Sequence, residues 1–234
     1  MKNLSNLHIA LLFFVVFSLL SILDLGTMGN RVLRVIPNVF ALGFVYFAFT
    51  PKVHKYPLYF LIALLISAIL SFFFENQIFG LLTLVFAFIA YCIVGFAAIK
   101  QLSKIKANWF LRIYFIITLI VLGYFLFEVT QIGKDQYSSY LQFILFNINN
   151  LALIFMLASA LLLVHQNPTQ IAMVFLGFVV VLILSEVLRA ASYYSPEKVN
   201  VFFYGCRVLY VLALALLINC CGLIEKQFLK QISQ

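Results

Sequence analysis

The chain has 234 residues, of which 65% are hydrophobic and 9% charged, and it carries a formal net charge of +8. A soluble domain holds roughly 25% charged residues, so this composition excludes a water-soluble globular fold and places the chain in a membrane. The charge excess comes from 15 Lys and Arg against 7 Asp and Glu. In so apolar a chain it reads as membrane topology and attraction to anionic lipid, and no nucleic-acid partner is expected.

Hydrocarbon about 30 Å thick requires roughly 20 apolar residues per helical span. About eight runs answer that description: 7–25, 35–49, 58–74, 78–99, 109–127, 141–164, 171–188 and 202–224, the second being the shortest. Long unbroken runs, in place of alternating segments of about ten residues, argue against a membrane β-barrel. The expected fold is therefore all-α, a polytopic transmembrane helical bundle forming one domain over residues 1–234.

Lys2 before the first run imitates a signal peptide, but no small-residue cleavage site follows Leu23, so a retained first helix is expected. Gly26, Gly29 and Asn30 make 26–34 an expected loop, and with no Lys-Ser or Lys-Thr pair after the glycines it is not a phosphate loop. Pro37 is expected near a helix start, where its missing donor is tolerated. The proline-bounded link 50–57 carries Lys52, His54 and Lys55. In the third span Ala63, Ser67, Ser71 and Glu75 recur at steps of four and draw a narrow face suited to close helix packing.

The fourth span holds Tyr91 and Cys92 and ends in Lys100, Lys104 and Lys106; Trp109, Arg112 and Tyr114 then open the fifth at an interface. Gln142, Asn147, Asn149 and Asn150 make the sixth span the most polar. Asn147 and Asn150 share a helical face and are expected to point into the bundle, because an amide in hydrocarbon needs a partner. Asp24, Glu75, Glu128 and Glu186 gather at one end of the odd-numbered spans.

The densest chemistry lies in 180–196, where Ser185, Glu186 and Arg189 interrupt an apolar helix before a Tyr193-Tyr194-Ser195-Pro196 turn. Ionisable groups at that depth cost a few kcal/mol unless paired or wet, which marks a site. Arg207, a turn inside the eighth span, is expected to face Glu186. One carboxylate and two guanidiniums would then share a pocket, as a binding site or as an ion pair tying helices together. His8, His54 and His165 are scattered, Cys92, Cys206, Cys220 and Cys221 form no C-x-x-C, and there is no G-x-S-x-G. No metal and no cofactor are expected.

With the first end cytoplasmic, nine Lys and Arg face one acid inside, and six face six outside. Both termini are expected in the cytoplasm, with the protein in a bacterial inner membrane.

Leu184-Ser185-Glu186-Val187-Leu188 with its Tyr-Ser-Pro turn, Phe79-Gly80-Leu81-Leu82, and Tyr210, Ala213, Leu216, Leu217 and Ile218 in the last span resemble the YhhN or lysoplasmalogenase-like membrane family. The family's third-helix Gly-Asp pair is missing; Ala90-Tyr91 stands where Ala-His is usual, Leu214 replaces a Gln, and Glu186 replaces an Asp. The resemblance implies cleavage of the vinyl-ether bond of a lysolipid. Glu186 would act as acid and Glu128 or Glu75 as base, Arg189 or Arg207 would hold phosphate, and Asn147, Asn150 and Tyr204 would line the substrate site. Two other readings stand beside it: a non-enzymatic protein binding membrane lipid or a small polar solute, and a transporter, which would need helices broken at mid-membrane. Carboxyls converging on one cavity favour catalysis; carboxyls each capped by an arginine favour structure.

Overall fold

A computed structural model describes residues 6–23, 26–102, 109–132, 139–194 and 200–232, and among them there is no strand. The helices are α1 (Asn6–Ser21), α2 (Gly26–Ala48), α3 (Pro51–Leu70), α4 (Gln77–Ile99), α5 (Trp109–Ile132), α6 (Tyr140–Gln166), α7 (Gln170–Tyr194) and α8 (Asn200–Ile232), with a 3-10 turn at Ser71–Phe73 after α3. Local chemistry marks their starts. Asn76 Oδ1 accepts from the Ile78 amide at 3.0 Å, Ser139 Oγ from Gln142 at 3.2 Å and Thr169 Oγ1 from Ala172 at 3.2 Å. These side chains satisfy donors that a helix start leaves open. Pro51 opens α3, where no amide donor is needed.

Six helices close a ring: α2 packs on α3, α3 on α4, α4 on α6, α6 on α7, α7 on α8, and α8 on α2. The same six contain the stretches long and apolar enough to cross a membrane: Arg31–Ala48, Lys55–Phe73, Gln77–Ile99, Tyr140–Gln166, Gln170–Ser192 and Val201–Lys230. The protein is an integral membrane helical bundle. Outside the ring, α1 lies chiefly against α8, and α5 against α6 and α7. Among the described residues, their apolar stretches, Leu7–Ser21 and Ile116–Glu128, are shorter.

The ring interior is filled by Phe60, Met156, Phe178, Leu182, Leu214 and Ile218, with the Phe60 and Phe178 rings edge to face at 5.6 Å. Ala41, Ala90, Ala160 and Ala213 are fully buried, and their small side chains let backbones approach where lipid offers no hydrophobic driving force. Phe47, Leu12, Ile120 and Leu151 face outward, as a lipid-solvated surface requires.

The second helix corrects the reading of residues 26–34 as a loop. They form the first turns of α2, and Pro37 lies well inside that helix. Glycine and asparagine weaken a helix in water, but in a bundle each backbone group needs an internal partner, and continuing the helix supplies it. Beside Pro37, Asn38 turns its amide to the Arg34 carbonyl at 3.1 Å. Tyr193 and Tyr194 are likewise helical, at the end of α7. Lys2, Asp24, Lys104, Lys106, Lys134, Asp135, Ser195, Pro196, Glu197 and Lys198 lie outside the described residues.

The expected small-residue seam holds at Ala63 and Ser67 only: Ser71 falls in the 3-10 turn, its hydroxyl on the Ala68 carbonyl, and Glu75 lies beyond α3 and is exposed. Ser67 is buried and donates to the Thr83 carbonyl of α4 at 2.9 Å, with Ala63 buried a turn away.

Candidate functional site

The polar centre forms where α2, α4, α6, α7 and α8 converge. Glu186 of α7 is 6% exposed. Its Oε1 accepts from Arg34 Nη2 of α2 at 3.1 Å, and its Oε2 accepts from Arg189 Nε at 2.9 Å and from Arg189 Nη2. Both carboxylate oxygens are thus taken by guanidiniums. The buried Tyr91 hydroxyl of α4 approaches the same carboxylate. Arg34 also lies over the Tyr210 ring, 5.3 Å from its centroid, and the Tyr210 hydroxyl donates to Asn38 Oδ1 at 2.7 Å. Next to Glu186, the Ser185 hydroxyl donates to the Cys206 carbonyl at 2.7 Å and fastens α7 to α8.

Among the described residues, two guanidiniums against one carboxylate leave this centre one positive charge in excess. A cavity of about 30 Å³ opens beside it, lined by Tyr91, Asn149, Asn150, Glu186 and Arg189 among apolar neighbours. That volume suits one or two waters. Asn149 donates to the Leu84 and Leu145 carbonyls at 3.0 and 3.1 Å, while its Oδ1 is buried without a partner. The cavity wall therefore sets the Glu186 and Arg189 ion pair beside the side chains of Asn149 and Asn150.

The candidates named from sequence separate. Glu186 and Arg189 meet as expected, but Arg207 does not face Glu186. It donates to the carbonyls of Ser21 and Leu23 at 3.3 and 3.4 Å and stacks 3.8 Å from the Phe203 ring, which ties α8 to the end of α1. The α1 carbonyls are open acceptors at a helix C-terminus, and a guanidinium satisfies them. Glu75 stands in the turn before α4, paired with Arg31, whose Nη1 donates to Glu75 Oε2 at 3.1 Å and also to the Phe72 carbonyl. The hydrogen-bonded Arg31 guanidinium holds the Glu75 carboxyl below its ordinary value of 4.5. Glu128 is exposed on α5, on the face away from the buried Leu126 and Thr130.

The inward pair on α6 is Asn149 and Asn150. Asn150 donates to Thr130 Oγ1 at 2.7 Å and the Leu126 carbonyl at 3.3 Å, binding α6 to α5. Asn147 is half-buried and turns back to the Phe143 carbonyl of its own helix at 2.9 Å. Tyr204 is half-buried, its ring 5.4 Å from that of Phe203, and it does not line the cavity.

Arg34, Tyr91, Tyr210 and Asn149 were not among the candidates. For Arg34 the signal was present: carrying the helical period back from Ala41 through Asn38 reaches Arg34 and Arg31 on one face.

The fold and this centre define a polytopic α-helical membrane protein with a buried, cation-rich polar site. No protein-family model matches the chain, and no curated protein or solved structure does.

Proposed function

We propose that the protein is a non-enzymatic membrane protein that binds the anionic group of a lipid or small polar solute at Arg34 and Arg189, which Glu186 holds together. The excess guanidinium carries this reading. An unbalanced charge in a bundle is costly unless an anion or water joins it; the Arg34 and Arg189 side chains are 21% and 37% exposed and can be reached from outside the bundle, while the cavity itself has room for one or two waters. The site lies in the half of the bundle assigned to the outer leaflet, with both termini in the cytoplasm of a bacterial-type inner membrane. The nine-to-six split of Lys and Arg supports that orientation.

Arg34→Gln tests the proposal, because it removes the excess charge and leaves Glu186 paired with Arg189. Thermal melts of the purified protein are compared with a phosphate-headed lysolipid and with inorganic phosphate. Protection by the lysolipid alone identifies a lipid site, and protection by both a small-anion site. The variant should lose at least tenfold in apparent affinity. Equal protection of wild type and variant would sink the proposal.

Hydrolysis of a vinyl-ether lysolipid by a YhhN-like enzyme is the second reading, favoured by the water-sized cavity against Glu186 and Tyr91. It requires an arginine to release one Glu186 oxygen before that group can donate a proton. It also requires a base other than Glu75 or Glu128, neither of which lines the cavity. Release of fatty aldehyde from a lysoplasmalogen by the wild-type protein would establish it in place of the first.

A further inference from the structure

Arg34 reaches Glu186 past a helix that stands between them. In the ring α8 separates α2 from α7, since each of the two packs on α8. Tyr210 of α8 is the residue that the Arg34 side chain crosses: its guanidinium carbon lies 5.3 Å from the Tyr210 ring centroid, within the range of a cation–π contact. The same tyrosine is tied to the backbone that carries Arg34. Its hydroxyl donates to Asn38 Oδ1 at 2.7 Å, and Asn38 Nδ2 donates to the Arg34 carbonyl at 3.1 Å. The amide is fixed this way round, because its reverse would set Oδ1 against a carbonyl. Asn38 is fully buried and Tyr210 nearly so, which shields their hydrogen bond, while the Arg34 side chain stays within reach at 21% exposed. Pro37 gives the asparagine its local reason. Proline offers no amide hydrogen and weakens the backbone ladder of the turn that carries Arg34, and the Asn38 side chain returns a donor to that turn.

We infer that Tyr210 and Asn38 are positioning residues for anion binding: they aim the Arg34 guanidinium so that it stands with that of Arg189 around Glu186 before any anion arrives. The inference rests on the anion site proposed above and names the residues that shape it. Both act through Arg34. An arginine side chain has many rotamers, and one held in place beforehand loses less freedom when a ligand binds. Arg34 needs that support more than Arg189 does. Arg189 meets Glu186 from the same helix, three residues on, through Nε and Nη2, whereas Arg34 meets it through Nη2 alone from 152 positions away. The Tyr210 ring supports the planar guanidinium from below, and its hydroxyl holds the α2 backbone at the turn from which the arm departs.

The test titrates the full chain in neutral detergent with inorganic phosphate and with lysophosphatidylglycerol, and reads apparent affinity from the rise in melting temperature with whichever probe protects the wild type. Tyr210→Phe keeps the ring and removes the hydroxyl, and should weaken binding about threefold to tenfold. Tyr210→Leu removes the ring as well and should weaken it about threefold further. The deciding measurement repeats Tyr210→Phe on an Arg34→Gln background, where binding is left to Arg189. There the loss of the hydroxyl should change affinity less than twofold, because no guanidinium remains to be aimed. Ser67→Ala, which removes a buried hydrogen bond between α3 and α4, should lower the melting temperature and leave affinity within twofold, so that lost stability and lost aim are separated. An equal loss from Tyr210→Phe on both backgrounds, or an equal loss from Ser67→Ala, would make the tyrosine a general fold contact and overturn the inference. Undiminished affinity in Tyr210→Phe, beside a protected wild type, would overturn it and leave the anion site standing. A wild type that neither probe protects would remove the anion site and this role together.

Discussion

At the scale of single residues, Glu186 decides the centre. Glu186→Gln keeps its shape but strands two guanidiniums, and breaking a buried pair by removing one partner costs on the order of 3 kcal/mol. We expect a clear fall in the detergent melting temperature for Glu186→Gln and a smaller one for Arg34→Gln, which leaves a neutral pair behind. A melt ordering the two variants the other way would show that Arg34 is needed for stability more than for charge balance. The Arg31 to Glu75 pair is a contrast, since the Glu75 side chain is 66% exposed. Glu75→Gln should cost less than about 1 kcal/mol. The Glu75 carboxyl is depressed in the folded protein, so its contribution is present above its ordinary value of 4.5 and is lost as pH falls below it. Melting curves from pH 7 to pH 3 should therefore converge for wild type and Glu75→Gln at the acid end.

At the scale of elements, α4 and α6 meet at a glycine. A Cβ on Gly95 would stand 2.4 Å from Phe155 Cε1 and 2.6 Å from its Cδ1, and that ring already packs on Phe96 with centroids 5.3 Å apart. Gly95→Ala should therefore force the ring or the helix aside at a cost of about 1–3 kcal/mol. Adding Phe155→Leu should recover part of the loss in a detergent melt. No recovery would mean that the backbones themselves, and not the ring, set the spacing. The Ser67 seam between α3 and α4 obeys the same rule of close approach, and there the spacing in the sequence was sufficient to foresee Ala63 and Ser67. Residues 26–34 were not foreseen as helix, because glycine and asparagine signal turns in water whereas the bundle rewards any continuation that pairs backbone groups.

For the whole molecule, the ring leaves α1 and α5 outside, and α1 reaches it chiefly through α8 and the Arg207 contacts with the Ser21 and Leu23 carbonyls. The proposed orientation follows from charge alone, so it is tested by charge-independent labelling. A cysteine at position 230 should stay unreactive to an impermeant thiol reagent in intact cells and react after permeabilisation. Labelling before permeabilisation would invert the molecule and move the Glu186 centre to the cytoplasmic half. The native thiols do not obscure the result, since Cys206, Cys220 and Cys221 are buried and Cys92 is half-buried.

Composition and apolar run length determined the class of this protein and the existence of its helices, because both depend on how each segment partitions between water and lipid. They also exposed Glu186 and Arg189, since two charges three residues apart in an apolar helix stand out without any partner in view. The partners were settled by tertiary structure. Arg34 comes from a helix 152 positions away in the chain, and Arg207, nearer in sequence, is drawn instead to the open carbonyls of α1. The facing of the asparagines was settled in the same way: neighbours on α4 and α5 turned Asn149 and Asn150 inward and left Asn147 to its own backbone. A helical period ranks the faces of one helix, but which polar face is buried depends on the acceptors that the adjoining helices present, and those are set only when the ring closes.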